Sequence, residues 1–595
     1  MLTREEGDSD KRLVAYVVAN AQASDAESQP HDAEWSIQRG DDSPEIKLNQ
    51  KLAGELRGFL KNQLPNYMLP SSVVLVEEFP LTTHGKVDRS ALPAPDHTRP
   101  ELEEPFVPPR TDAEQKLAGI WTEVLGIEGI SVNDNFFDLG GHSLLATQAI
   151  SRARDAFQTE MQLQSIFDHP TVATLAQYIS QQTGGGNGAQ QIPGSPKAGH
   201  YPLSYGQQRL WFIEQLMPGN TAYHIHETIH FTDPLNRAAL EQSLREIVRR
   251  HESLRTVFAS RDGEPVQLIS PSLVLPLHFL DLSHLQDAEQ NAQLQLFYAA
   301  ELDRRFSLSS GPLLRTSLVR LAHNHHLLVV CMHHIISDGW SMKVFRRELD
   351  LLYEAFSQGQ PSPLSDLPIQ YADYAVWQRD HLTGRVLEEH LSYWRTQLRG
   401  APEVLELPAD RQRPLAQSYR GAYRWWVLSE ELSEGVKALS REAGVTLFMS
   451  LLAGFEVLLW RYTGEEDVVV GTPIANRQRT EVEGVIGFFV NTVVLRVRVR
   501  GEMRVRELLR EIKEVTLSAY GHQEMPFERL VAEMRPERDL RHNPLFQVLF
   551  ALQNQNAPSG AAQVSAQAGL MAEEMGTKAE AITHVETMSA TFDLT

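Results

Sequence analysis

Met332-His333-His334-Ile335-Ile336-Ser337-Asp338-Gly339-Trp340 decides how this chain is read. It follows the apolar run His326-Leu327-Leu328-Val329-Val330-Cys331, which reads as a buried strand. Side chains alternate along a strand, so the two histidines leave its end toward opposite faces. Asp338 comes four residues after His334, and Gly339 permits the sharp turn that such a site needs. Histidine exchanges its proton near neutral pH, which makes a positioned histidine the usual general base. A pair of structural histidines at a strand end is the plainer alternative, and the flanking segments must decide between the two.

The 595 residues exceed a single core, and domain-size scaling suggests about three or four units. A hydrophobic content of 42%, with 22% charged residues, is that of ordinary globular protein. The formal net charge of -22 argues against a nucleic-acid-binding surface, which would be basic. The single cysteine, Cys331, excludes an internal disulfide framework and fits a reducing cytosol. It reads as a small buried hydrophobe. The first residues lack the apolar core of a signal peptide, and no stretch approaches eighteen uncharged apolar residues, so no membrane partner is expected. Linear Cys/His metal spacing is also missing, and no metal is expected.

Upstream of the histidines the pattern changes three times. In residues 1–97, Lys11 to Val18 and Val73 to Val76 read as strands, with Leu52, Leu56, Phe59, Leu60 and Leu64 on one helical face between them. Leu81 to Arg89 is a polar turn carrying Lys86. A proline-rich acidic linker then leads to residues 107–181. Here Thr111 or Asp112 can cap a helix bearing Leu117, Ile120, Trp121, Val124 and Leu125. The loop Asp134-Asn-Phe-Phe-Asp-Leu-Gly-Gly-His-Ser143 opens a second helix with Ala146, Ala149, Ile150, Ala153 and Phe157 on one face. Counting a turn near Ser165 to Asp168 and a last helix after Pro170, four short helices make a compact bundle. Ser143 at a helix start reads either as an N-cap or as a hydroxyl held where the helix dipole favours a phosphate. Residues 182–200, with Gly184-Gly-Gly-Asn-Gly188 in a Gln- and Pro-containing stretch, read as a flexible linker.

His-His-x-x-x-Asp-Gly resembles the signature of the condensation domains of nonribosomal peptide synthetases, relatives of chloramphenicol acetyltransferase-like acyltransferases. Further phrases match that family in order: Leu203 to Trp211, Arg250-His-Glu-Ser-Leu-Arg255 to Phe258, Tyr371 to Trp377, and Val469-Val-Gly-Thr-Pro-Ile-Ala-Asn-Arg477. Ile486-Gly-Phe-Phe-Val-Asn-Thr492, His522 to Glu528 and Asn543-Pro-Leu-Phe-Gln547 complete the series. The resemblance implies a two-lobed α/β domain over residues 201–595, with lobes 201–370 and 371–595 and a tunnel between them; the end of the second lobe is expected beyond Thr595. It also implies amide-bond formation, with His334 as base or amine-positioning group. Asp338 would then be structural and paired with an arginine, Arg255 in the first place or else Arg315. His333 shares the motif, and the helix after Gly339 is a weaker candidate for stabilising an oxyanion.

Gly-Gly-His-Ser-Leu-Leu, preceded by Asp-Asn-Phe-Phe-Asp-Leu, is similar to the attachment motif of peptidyl carrier domains. That implies a covalent 4'-phosphopantetheine on Ser143, installed by a phosphopantetheinyl transferase. Leu64-Pro-Asn-Tyr-Met-Leu-Pro70 with Gly85-Lys86-Val87-Asp88-Arg89 resembles the last motifs of amino-acid-adenylating domains, with His84 where the family usually has Asn. Their nucleotide-binding core would lie upstream, so no adenylation is expected from this chain, whose partners would be that core and downstream adenylation and carrier domains. A heterocyclising relative would replace the histidines with Asp. An epimerase-type relative shares His-His-x-x-x-Asp but is opposed by the Phe-Val-Asn-Thr and Asn-Pro-Leu-Phe-Gln phrases. A carrier and docking fragment without catalysis is the alternative from another class.

Overall fold

The computed structural model describes residues 106–159, 161–182, 191–196, 199–411, 428–534 and 541–552, with short strands and isolated positions elsewhere. Strands β1 (Leu2–Glu6), β2 (Asp10–Val18) and β3 (Ser72–Val76) form one small sheet, β2 antiparallel to β1 and parallel to β3. The strands expected at Lys11 to Val18 and Val73 to Val76 are therefore present as β2 and β3. The helix expected near Leu52 to Leu64, and Lys86, lie outside the described residues.

Four helices follow: α1 (Asp112–Leu125), α2 (Ser143–Phe157), α3 (Gln164–Asp168) and α4 (Val172–Gln182). Thr111 starts α1 with a capping box: its hydroxyl accepts from the Glu114 N–H, and the Glu114 carboxylate accepts from the Thr111 N–H. Leu117, Trp121, Phe136, Ala146, Ile150, Val172 and Ile179 fill the interior, with Trp121 edge-on to Phe136 at 5.0 Å. The chain turns into α2 at Gly141, where a Cβ would sit 2.3 Å from the Phe136 ring; only glycine lets the backbone lie against it.

The linker expected over 182–200 is pinned at its far end. Ile192 is buried, its N–H donates to Glu481, and the Ser195 N–H donates to Asp373 at 2.7 Å.

The first lobe contains β4 (Tyr201–Pro202), α5 (Tyr205–Leu216), β5 (His224–Phe231), α6 (Arg237–Arg250), β6 (Thr256–Arg261) and β7 (Glu264–Ile269). It continues with β8 (Leu277–Asp281), α7 (Asp287–Asp303), β9 (Leu314–Ala322), β10 (His325–His333) and α8 (Gly339–Ser357). The main sheet runs β5-β10-β9-β8, and β4-β7-β6 form a second sheet. β10 is central, so Leu327 to Met332 are buried on both faces, as a continuous apolar run requires.

Beyond α9 (Tyr371–His381) come α10 (Gly384–Gln397), β11 (Arg420–Ala422), α11 (Glu430–Ala443), α12 (Leu447–Thr463), β12 (Asp467–Ile474) and β13 (Asn491–Arg498). Next are α13 (Val505–Gly521), α14 (Phe527–Met534) and β14 (Thr587–Ser589), which pairs with β11. The antiparallel β12–β13 pair packs with α12 and α13 around Val470, Leu495, Leu452 and Ile512. α9 begins one residue past the expected lobe boundary, yet Tyr371 and Tyr374 share the first lobe's core with Val482, Val485, Ile486, Phe488 and Phe489. A boundary at 370 divides the chain but not the packing. Among the described residues no single helix is long and apolar enough to cross a membrane.

Candidate active site

β10 delivers His333 as its last residue, and a turn of 3₁₀ helix carries His334 to Ile336. The His333 side chain is buried, and its Nδ1 accepts the Ile335 N–H at 3.0 Å. Burial, with His224 and His334 close by, lowers its pKa to about 3, so the ring is neutral and braces the turn. His334 is half-buried and edge-on to Phe488 at 5.0 Å. Its Nδ1 lies 2.8 Å from the Ser337 carbonyl oxygen. A carbonyl only accepts, so Nδ1 carries the proton and the neutral ring keeps its lone pair on Nε2. Burial lowers the His334 pKa and nearby Arg209 acts in the same direction, outweighing the Ser337 carbonyl and Asp338. Arg209 itself bridges to Glu528 of α14 at 3.3 Å.

Asp338 is the N-cap of α8. Its Oδ1 accepts from the Ser341 N–H at 2.8 Å, the Ser341 hydroxyl at 2.7 Å and Arg477 Nη2 at 3.2 Å. Its Oδ2 accepts from the N–H groups of Phe489 at 2.9 Å and Val490 at 3.3 Å. The arginine partner is therefore Arg477, and the expectation of Arg255 is corrected. Arg255 donates instead to the Ser270 carbonyl and to Glu252, three residues earlier. Arg315, the second choice, is held by Glu301 and the Arg304 carbonyl. Arg477 is fully buried, donates to the Val482 and Val485 carbonyls, and lies over the Phe489 ring at 4.1 Å. Two sequence signals could have found it: the Val469 to Arg477 phrase ends on its single cation, and that cation shortly precedes the Ile486 to Thr492 phrase.

Asp338 also changes the role of Gly339. Gly339 is the first residue of α8, and a carboxylate already occupies that helix end, which opposes its use as an oxyanion site.

Residues 482–490 cross from the second lobe onto the first and are stitched there. The Ile486 N–H donates to His251, Ser253 donates to the Ile486 carbonyl, Ser341 to that of Gly487, and the Tyr371 hydroxyl to that of Phe488. A Cβ on Gly487 would fall 2.0 Å from the Tyr371 ring. Glu348 of α8 secures the far side, accepting from Nε and Nη2 of Arg250 at 3.2 Å each and paired with His251 at 2.9 Å.

Ser143 is the first residue of α2; His142 occupies the N-cap position and makes no side-chain cap bond. The plain capping role for Ser143 is thereby excluded. The first turn of α2 contains no acidic residue, and the His142 Nδ1 is buried without a hydrogen-bond partner among the described residues. Burial and the nearby Lys343 lower the His142 pKa to about 4. The Ser143 side chain lies beside Tyr520 of α13. An uncapped helix start with a half-buried hydroxyl and a lysine close to the preceding residue suits a phosphate ester, so these residues fit a phosphopantetheine group. The bundle contacts the second lobe through Arg154 to the Gln478 carbonyl, Asp155 to Thr480, and Arg152 to Glu483 at 3.6 Å.

Residues 197–595 match the condensation domain family, and residues 115–179 match the phosphopantetheine attachment site family. The chain is 47% identical over 507 residues to a component of the linear gramicidin synthase of Brevibacillus parabrevis, covering 85% of this chain and 6% of the relative. It is 40% identical over 547 residues to malpinin synthetase of Mortierella alpina, covering 91% of this chain and 7% of the relative. Its span is thus a small part of the curated relatives it matches. Among solved structures it resembles the X-domain in complex with OxyB from teicoplanin biosynthesis, with a TM-score of 0.55 and 26% identity over 61% of this chain and 80% of that one. The starter condensation domain of rhizomide synthetase shares the fold, with a TM-score of 0.52 and 23% identity over 60% of this chain and 78% of that one. The chain belongs to the condensation-domain family of the nonribosomal peptide synthetases, and it joins that domain to a phosphopantetheine-attachment carrier.

Proposed function

We propose that the chain carries an acyl group at Ser143 and joins it, as an amide, to the amine of an amino acid on a downstream carrier. When bound, the phosphopantetheine arm supplies a thiol that holds the acyl group as a thioester, activated toward amines. An ammonium group cannot attack, so the amine must lose a proton to react. His334 meets that need through its Nε2 lone pair, as base or as the group that aligns the amine. The observation that carries the reading is the Nδ1–H held by the Ser337 carbonyl, which leaves Nε2 as the acceptor. Asp338 and His333 support the turn rather than touch the reacting atoms.

In this reading residues 1–97 are the C-terminal part of an adenylating domain, with Lys86 a remnant of its site, and the upstream core loads the carrier. A phosphopantetheinyl transferase installs the arm, and downstream adenylation and carrier domains present the acceptor. The test is single-turnover amide formation by the acyl-loaded chain with a supplied acceptor. His334→Ala should lose about 10² to 10⁴ in rate, or less if the ring only aligns the amine, with thermal unfolding unchanged. Wild-type rate in that variant would refute the assignment.

A further inference from the structure

β5 and β10 pair antiparallel with His226 opposite Cys331 and His224 opposite His333. Cross-strand partners share a face, and alternate residues along one strand do too, so these four side chains form one patch. Within it the donor atoms of His224, His226 and Cys331 all lie within 4.8 Å of one another, and Cys331 Sγ is 3.8 Å from His226 Nε2. We propose that His224, His226 and Cys331 form a binding site for one zinc-class divalent ion, with a fourth coordination position left to water.

Zinc–nitrogen and zinc–sulfur bonds of about 2.0–2.3 Å in a tetrahedron place ligand atoms roughly 3.4–3.6 Å apart. From separations of at most 4.8 Å the three donors therefore need to close by up to about 1.4 Å. Two imidazoles and a thiolate form a mixed nitrogen and sulfur set, which suits zinc and cobalt rather than magnesium or calcium. The His224 Nδ1 is buried with no hydrogen-bond partner among the described residues, so a donor there is left unused. Burial keeps both imidazoles neutral near pH 7, lowering each pKa to about 4, as a metal ligand requires. Cys331 would bind the ion as thiolate, so its proton is displaced on binding.

The surrounding charges leave a net positive, two arginines sharing one glutamate, which the thiolate must offset for the ion to bind. Arg315 of β9 lies 3.6 Å from Cys331 Sγ and favours the thiolate while opposing the ion; Glu301 offsets it at 3.4 Å, with Arg304 close by and a neutral His333 alongside. No linear spacing announces the site, because its ligands come from strands more than a hundred residues apart in sequence.

Cobalt is the probe. Cys331 is the only cysteine in the chain, so in the full chain carrying Ser143→Ala, without an arm thiol or a histidine tag, any sulfur-to-cobalt charge-transfer band reports Cys331. We expect one equivalent of Co2+ to bind with that band, zinc to displace it, and zinc to raise the unfolding temperature. Cys331→Ser should lose the band. His226→Gln, at a half-buried position, should weaken binding by at least about tenfold. A folded Ser143→Ala chain that shows no sulfur–cobalt band at saturating Co2+ overturns the proposal, whatever the other variants do.

Discussion

Asp338→Ala should cost folding stability before it costs chemistry. The substitution removes at once the acceptor for the Ser341 N–H and hydroxyl, the Phe489 and Val490 N–H groups, and Arg477. Breaking one side of a buried ion pair costs about 3–5 kcal/mol, because the other charge stays behind. Loss of an N-cap costs about 0.5–2 kcal/mol. One carboxylate serves both roles, so the costs overlap and a total of about 4 kcal/mol is the working figure. Against a typical stability of about 5–15 kcal/mol this gives a marked fall in unfolding temperature or insoluble protein. The assay is paired: urea and thermal unfolding beside single-turnover amide formation, for Asp338→Ala, Arg477→Met and the double variant. Once Asp338 is gone, removing the Arg477 charge should restore part of the loss. If Asp338→Ala unfolds like wild type while its rate collapses, Asp338 acts on the reacting atoms and the structural assignment fails.

Ser143→Ala should abolish the single mass increment that a phosphopantetheinyl transferase with coenzyme A adds to the chain; intact-mass measurement decides it, and an undiminished increment would move the attachment site elsewhere. Gly487→Ala drives a methyl into the Tyr371 ring, and overpacking of this kind costs about 1–3 kcal/mol, readable as a shifted urea midpoint. His333 is pulled to a pKa of about 3 from an ordinary 6.5, so below pH 6.5 the unfolded chain binds a proton that the folded chain refuses. Its contribution is complete above pH 6.5 and fades as pH falls toward 3, by about 1.4 kcal/mol per pH unit. Urea midpoints compared at pH 7 and pH 5 should show the loss, and His333→Asn should reduce it by the His333 share, with His142, His224, His226 and His522 supplying the rest.

The parts legible in the sequence are those whose signal is local. The strand before His333, the capped helix at Thr111 and the turn into α2 each declare themselves within about ten residues, through alternation, caps and glycines. Arg477 escapes such a reading because its pairing with Asp338 spans 139 positions, and periodicity holds no information about which of several arginines closes such a loop. Arg255 is nearer in sequence, but its guanidinium is already used by its own turn. Spatial arrangement also decides Gly339: only the observed cap shows that the positive end of α8 is occupied.

The chemistry of His334 follows from these long-range contacts. Its tautomer depends on where the Ser337 carbonyl points. Ser337 is held in turn by its hydroxyl on the His333 carbonyl and its N–H on the His334 carbonyl, at 3.3 and 3.2 Å. The next residue is Asp338, fixed from the other lobe by Arg477, Phe489 and Val490. The imidazole is thus oriented by the closure of residues 482–490 over the first lobe. A change that loosens the latch while the domain stays folded should therefore lower the rate as His334→Ala does, with intact histidines. Arg477→Lys is the sharpest such change, since an ammonium keeps the charge but cannot reach the Val482 and Val485 carbonyls and Asp338 with one planar fork. A folded Arg477→Lys chain with wild-type rate would show that the histidine holds its orientation without the latch.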